Sequence, residues 1–351
     1  MHIHFVCFFT ILLSYYIIYF MNFLSNISRP IMILAPMEDV TDTVFRNLVH
    51  LIGNGRGEPD IYFTEFISVK GLLNKSRQSI QHILTKNDEL NRPLIAQIWG
   101  SDPDEFFKAI KILADLGFWG IDLNMGCPKK KIVKKGVCSA LINNKSLACE
   151  IIIASKEACL KFELPLSVKT RHGFFYPEVE DWLGFLLKLG IDMLTVHPRL
   201  AIHQSEGPID VTVFDKLVDL RNQINPSALI IGNGDILNLE QAHQIIMNHS
   251  IDGVMFGRGI FRNLNLFRKG LPNFLSNNLN FRLNILKLHV IDFYSTWSLT
   301  KDFDRLKKYF KIYFNEEERC SEYFHNIMNS NNYDELFKNL NRIDIIGDNL
   351  K

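Results

Sequence analysis

From Ile31 onward the chain alternates short, almost unbroken apolar runs with longer stretches whose apolar residues recur every three or four positions. The runs fall at 31–35 (IMILA), 60–65 (DIYFTE), 93–98 (PLIAQI), 119–124 (WGIDLN), 165–170 (PLSVKT), 192–197 (DMLTVH), 228–233 (ALIIGN) and 252–257 (DGVMFG). Runs without polar alternation predict parallel strands covered on both sides. The stretches between them predict amphipathic helices. In Asp104 to Leu116, Phe107, Ile110, Leu113 and Ala114 share a face, Asp102-Pro103 starts the helix and Gly117 stops it. Leu147 to Leu160 and Asn238 to Met247 read the same way.

Eight strand–helix units in roughly 230 residues predict a (β/α)8 TIM barrel over 31–270. A doubly wound open sheet gives the same strand count. The strand ends favour the barrel: Ala35-Pro36-Met37, Thr64-Glu65, Gln97, Asn124, Lys169-Thr-Arg171, His197-Pro-Arg199, Asn233-Gly234-Asp235 and Gly257-Arg258-Gly259 are reactive or small. In a barrel all eight converge on one face, where barrel enzymes place their sites.

Two regions break the pattern. Beyond about residue 280 strands disappear, and Leu306, Tyr309, Phe310, Tyr313 and Phe314 recur at helical spacing. With helical segments near 281–298, 317–329 and 333–343, this predicts a small all-helical domain over 280–351, joined through the Asn-rich linker 273–280. At the other end, Phe5 to Leu24 holds twenty residues without a charge, enough to span a bilayer. Residues 1–30 read either as a membrane anchor or as sequence upstream of a true start at Met21 or Met32. The strand beginning near Ile31 favours the second reading, and with it no membrane partner.

Composition narrows the class little. Apolar content of 47% and charged content of 22% are those of a globular protein, and the net charge of +1 leaves any polyanion-binding surface local. The six cysteines form no CxxC pair and no metal-ligand spacing, as in a reduced cytoplasmic protein that binds no metal.

The chemistry gathers at strand ends. Cys127 follows Gly126 and precedes Pro128 and Lys129, Lys130 and Lys131, a cationic setting that favours thiolate and reaches toward phosphate. Ile231-Gly-Asn-Gly-Asp-Ile236 and Phe256-Gly-Arg-Gly-Ile260 are glycine turns after consecutive strands. Barrels hold a phosphate there, with Arg258 able to complete the grip. Lys169 reads as a surface cation, a Schiff-base nucleophile or the partner of an anionic cofactor ring.

In sequence order, Ala35-Pro-Met-Glu-Asp-Val-Thr-Asp42, Phe45-Arg46, Thr64-Glu65-Phe66 and Asp122-Leu-Asn-Met-Gly-Cys-Pro128 resemble the motifs of the tRNA-dihydrouridine synthases. So do Ser167-Val-Lys-Thr-Arg171, Val196-His-Pro-Arg199, Gly232-Asn-Gly-Asp235 and Gly257-Arg-Gly259. The resemblance implies an FMN-binding barrel, a helical domain that helps hold tRNA, and a monomer. It implies reduction of D-loop uridine to 5,6-dihydrouridine, with NADPH or NADH as reductant. Pro36 and Met37 would then pack on the flavin and Gln97, Lys169 and His197 contact its ring. Asn233, Gly234, Asp235, Gly257 and Arg258 would hold its phosphate. Asn124, Arg171, Arg199, Lys129 and Lys130 would meet the substrate, and Cys127 would be the general acid. A flavin barrel acting on a free small molecule, in the manner of the dihydroorotate dehydrogenases, is the alternative. The segment Gly136-Val-Cys-Ser-Ala-Leu141 is bulkier than the family's glycine-rich pattern, and Pro198 stands where a Gly is common.

Overall fold

The computed structural model describes residues 23–348 apart from 56, 87, 88, 269 and 271, and the side chains of 343–348 are not described. Most of the apolar Phe5–Leu24 stretch therefore lies outside the described residues. Among those described, no helix is long and apolar enough to cross a membrane.

All eight runs form parallel strands: β1 (Ile31–Leu34), β2 (Tyr62–Phe63) with β3 (Ile67–Ser68), β4 (Leu94–Trp99), β5 (Gly120–Met125), β6 (Leu166–Arg171), β7 (Met193–His197), β8 (Leu229–Asn233) and β9 (Gly253–Phe256). Their order is β1-β9-β8-β7-β6-β5-β4-β2, with β3 also on β4. The ring closes where Ile33 bridges Ile61 and the Leu34 N–H donates to Ile61 O at 3.1 Å. This is a (β/α)8 barrel, not an open sheet.

The second stave is the irregular one. Phe63 pairs with Ile95 and Ile67 with Ile98, so the three residues between them on one strand oppose two on the other. Thr64-Glu65-Phe66 is thus a one-residue bulge. A single strand over 60–65, as the apolar run suggests, is instead two short pieces.

Alternation along each strand sorts the core into two bodies. Ile31, Ile33, Ile61, Phe63, Ile95, Met193, Leu229, Ile231 and Met255 fill the barrel interior, and Leu24 packs with them. Phe23, in the short helix Phe23–Asn26, meets Trp119 edge-on at 5.5 Å. These residues cover the floor of the barrel. The opposite faces of the strands meet the surrounding helices.

Those helices start where side chains supply the missing acceptors. In α1 (Thr43–Gly53) Asp42 accepts the Phe45 N–H, and in α2 (Pro103–Asp115) Asp102 accepts that of Asp104. Asn144 caps α3 (Lys145–Lys161) and Asn238 caps α5 (Leu239–His249), with α4 (Val213–Ile224) between them in sequence. In α2 the buried face is Phe106, Ala109, Ile110 and Leu113. Phe107 and Ala114 are only half-buried, so the inward face is turned by one residue from the sequence expectation.

The C-terminal region is helical: α6 (Leu279–Trp297), α7 (Asp304–Phe310), α8 (Glu322–Met328) and α9 (Tyr333–Asp348). Its apolar core is continuous with the outer layer of the barrel. Tyr309 stacks on Phe45 of α1 at 5.3 Å. Arg282 donates to both Glu318 oxygens at 2.6 Å, which ties α6 to the turn before α8. The Asn-rich segment before α6 is more than a connector, because Phe274 is wholly buried against Tyr313 and Phe281.

Candidate active site

At the C-terminal ends of the strands two cavities adjoin. The first, of about 450 Å³, is lined by Pro36, Met37, Gln97, Asn124, Cys127, Lys129, Lys169, Arg171 and His197, with Glu38, Phe66, Gln204 and Ser205 also on its wall. The second, of about 410 Å³, is lined by Asn233, Gly234, Asp235, Gly257, Arg258 and Arg262, and shares Pro36, Met37, Lys169 and His197 with the first. One site therefore has a wide lobe edged by a thiol and a narrower lobe edged by glycines and arginines.

Strand register explains who meets whom. Asn124 pairs with Lys169, and Arg171 with His197. Lys169 Nζ donates to Asn233 Oδ1 at 2.8 Å, while Asn233 Nδ2 donates to Met255 O at 2.7 Å. Arg171 is pinned by donating from Nε to Gly126 O at 3.0 Å and from Nη1 to Leu200 O at 2.9 Å. Beneath them Gln97 Nε2 donates to Asp122 Oδ2 at 2.7 Å, and Asn124 Nδ2 donates to Gln97 Oε1 at 2.8 Å. Asn124 Oδ1 then accepts the N–H groups of Gly126 at 3.2 Å and Cys127 at 3.0 Å.

Electrostatics follow from burial among cations. Burial and the neighbouring Arg171 bring Lys169 down to about 8, against the pull of Asp122 and Cys127. Near neutral pH it is still mainly charged. His197, desolvated and facing Lys169, Arg171 and Arg199, is pushed well below its usual value and stays neutral. Burial raises Asp122 to about 6, although Ser167, Gln97 and Lys169 oppose it.

Not every expected residue faces the cavities. Arg199 is buried, donating to Gly207 O at 3.0 Å and Asp235 Oδ2 at 2.5 Å, so it braces Asp235 from behind. Arg258 meets the other Asp235 oxygen at 2.7 Å. Lys130 is exposed in the short helix Lys130–Val133 and lines neither lobe. Conversely, Asp122 and Ser167 carry the hydrogen bonding under the site without having been expected there. The signal for Asp122 existed: it lies two residues before Asn124 and so shares its face. Cys138 lines a further cavity of about 400 Å³ beside Cys127. Its φ is 56°, a left-handed conformation that favours glycine.

The residues suit a ring with a phosphate tail. Gly234 has φ 130°, and a Cβ there would come within 2.7 Å of the His197 ring. A Cβ on Gly257 would meet nothing nearer than Met37 Sδ at 4.0 Å and would occupy the lobe itself. Backbone alone can therefore approach a ligand closely at both turns, with Arg258 at the rim.

A closed parallel barrel with a thiol, a buried lysine and a neutral histidine converging on one end is a (β/α)8-barrel enzyme. The family model described as dihydrouridine synthase matches residues 33–345. A probable tRNA-dihydrouridine synthase of Staphylococcus epidermidis is 38% identical over 312 residues, covering 88% of this chain and 92% of that one. One from Staphylococcus aureus is 38% identical over 313 residues, with the same coverage. Probable tRNA-dihydrouridine synthase 2 of Bacillus subtilis is 35% identical over 319 residues, covering 90% of this chain and 94% of that one. The chain belongs to the dihydrouridine synthase family, and it is an oxidoreductase.

Proposed function

We propose that the protein reduces uridine in the D-loop of tRNA to 5,6-dihydrouridine, using bound FMN recharged by NADPH or NADH. The observation that carries this reading is Cys127 on the wall of the wide lobe, with Asn124, Lys169 and Arg171 around the same space. The flavin, when bound, supplies hydride to C6 of the uracil.

Pro36 and Met37, common to both lobes, suit the flat ring, while Gly234, Gly257 and Arg258 suit the phosphate. Lys169 keeps a positive charge beside the ring and favours negative charge there. Neutral His197 can donate a hydrogen bond without adding another cation. Asn124 and Arg171 orient the uracil, and Cys127 gives its proton to C5 as charge develops there, which is general acid catalysis. A uracil stacked inside folded RNA cannot reach this depth, so the base turns out into the lobe. Lys129 at the rim is placed for the RNA backbone.

The test is twofold. Purified protein supplemented with FMN should show a flavin absorbance band, and tRNA from a deletion strain should lack dihydrouridine at one or more D-loop positions. Complementation with Cys127→Ala should leave those positions as uridine. Normal dihydrouridine at every position in the deletion strain would remove this reading.

A further inference from the structure

We propose that Asp122 is a positioning residue that fixes the amide orientations of Gln97 and Asn124 and thereby holds the Cys127 loop in place. The role of Cys127 rests on the proposed uridine reduction, whereas the hydrogen-bond chain rests on geometry alone.

Asp122 is fully buried on the inward face of β5, below the wide lobe, and lines neither lobe of the site. Its carboxylate accepts on both oxygens, from Ser167 Oγ at 2.6 Å and from Gln97 Nε2 at 2.7 Å. An ionised carboxylate can only accept, so Gln97 must turn its NH2 toward it. The Gln97 oxygen then faces Asn124, which must answer with its own NH2. That leaves Asn124 Oδ1 for the Gly126 and Cys127 N–H groups. Those N–H groups can only donate, so the chain has an acceptor at one end and donors at the other. Every amide between them has a single satisfied orientation. Ser167 meets the same carboxylate but lies off this path, and its hydroxyl also reaches Ile121 O at 3.3 Å.

Asp122→Ala removes the acceptor that sets the direction and leaves Gln97 Nε2 without a buried partner. Asp122→Asn keeps an oxygen for Gln97 and can donate its NH2 to Ser167 Oγ, so it is the conservative rescue. Amide hydrogen exchange resolved at Gly126 and Cys127, measured on protein without flavin or tRNA, reads the loop directly. Asp122→Ala is expected to lower protection there about tenfold, the worth of one net hydrogen bond. Ser167→Ala is expected to leave those two amides as in the wild type. Asp122→Asn is expected to restore them. Should Asp122→Ala not fold, Gln97→Met removes the middle link and is expected to give the same loss. In tRNA reduction, Asp122→Ala should lower kcat while leaving KM for tRNA within about twofold, as for a residue that acts only on the acid's placement.

Unchanged protection in Asp122→Ala, or in Gln97→Met where that is the variant that folds, would overturn the proposal. So would an equal loss in Ser167→Ala, which would mark a general packing role. A wild-type enzyme that reduces no tRNA would defeat the functional reading and leave the exchange result standing.

Discussion

Lys301 Nζ donates to Asp42 Oδ2 at 2.8 Å, joining residues 259 apart in sequence. The same carboxylate caps α1 through its other oxygen, and Lys301 lies 3.5 Å from Glu65 Oε2 and 4.1 Å over the Trp297 ring. Around this pair Arg305 and Lys308 meet Asp39, and Tyr309 Oη donates to Asp39 O at 3.0 Å. The C-terminal helices are thus clamped onto the loop after β1, next to the site. Glu38, Glu65 and His82 bring ligand-type atoms within 4.8 Å of one another, and Lys301 supplies positive charge beside Glu65.

Lys301→Met should therefore strand Asp42 and Glu65, 2% and 1% exposed, without their cation. Breaking a buried pair from one side costs about 3–5 kcal/mol. Asp42→Asn should be milder, because asparagine still caps α1. Thermal unfolding of the two variants checks the order, and equal losses would mean that the cap, not the ion pair, dominates.

Asp122 makes stability fall as pH rises across a defined window. Its folded value of about 6 lies above the ordinary 3.8, so between these the native state holds a proton that the unfolded chain has lost. The penalty is absent below about pH 4 and complete above about pH 6, on the order of 3 kcal/mol. Asp122→Asn should accordingly be more stable than wild type at pH 7 and equal to it near pH 4. Denaturant titrations at the two pH values decide this, and a gap independent of pH would refute it.

Lys169 has the opposite sign. Its folded value of about 8 lies below 10.5, so the unfolded chain binds more protons between them and stability rises with pH there. Measured against Lys169→Met, flavin-free wild type should gain stability from pH 8 to pH 10. Activity should fall over the same range as the charge beside the ring is lost. An activity profile flat to pH 10 would show that the charge is not needed.

Leu24, 3% exposed, closes the barrel floor. Leu24→Ala should cost about 2–5 kcal/mol, as buried leucine truncations do. A chain beginning at Met21 should keep the floor, and one beginning at Met32 should lose it with the first residue of β1. Comparing their melting temperatures tests this, and equal values would show the floor to be dispensable.

The barrel was legible because strands buried on both faces leave runs that little else imitates, and the observed strands fall within one or two residues of most of them. Local pattern does not carry the rest. Phe106 and Phe107 are adjacent, and periodicity alone does not say which points inward. The bulge at Thr64-Glu65-Phe66 contains neither glycine nor proline and so announces nothing. The Lys301–Asp42 clamp depends on two segments brought together only by folding. Within the site, the strand-end residues were readable one at a time. That Arg199 serves Asp235 from behind, and that Gln97 links Asp122 to Asn124, depends on which neighbours the register supplies.

That bulge sets the phase of the stave it interrupts. Phe63 and Ile95 both point into the barrel, whereas Ile67 and Ile98 both point out. Counting by twos from Phe63 would send Ile67 inward. The extra residue reverses the parity, leaving Phe66 on the wall of the wide lobe and Glu65 buried within reach of Lys301. Deleting any one of the three residues would not merely shorten a turn. It would let regular pairing run from Phe63–Ile95 to Ile67–Ile98 with Ile67 still pointing out, and would lose the extra residue that puts Phe66 on the lobe wall and Glu65 within reach of Lys301.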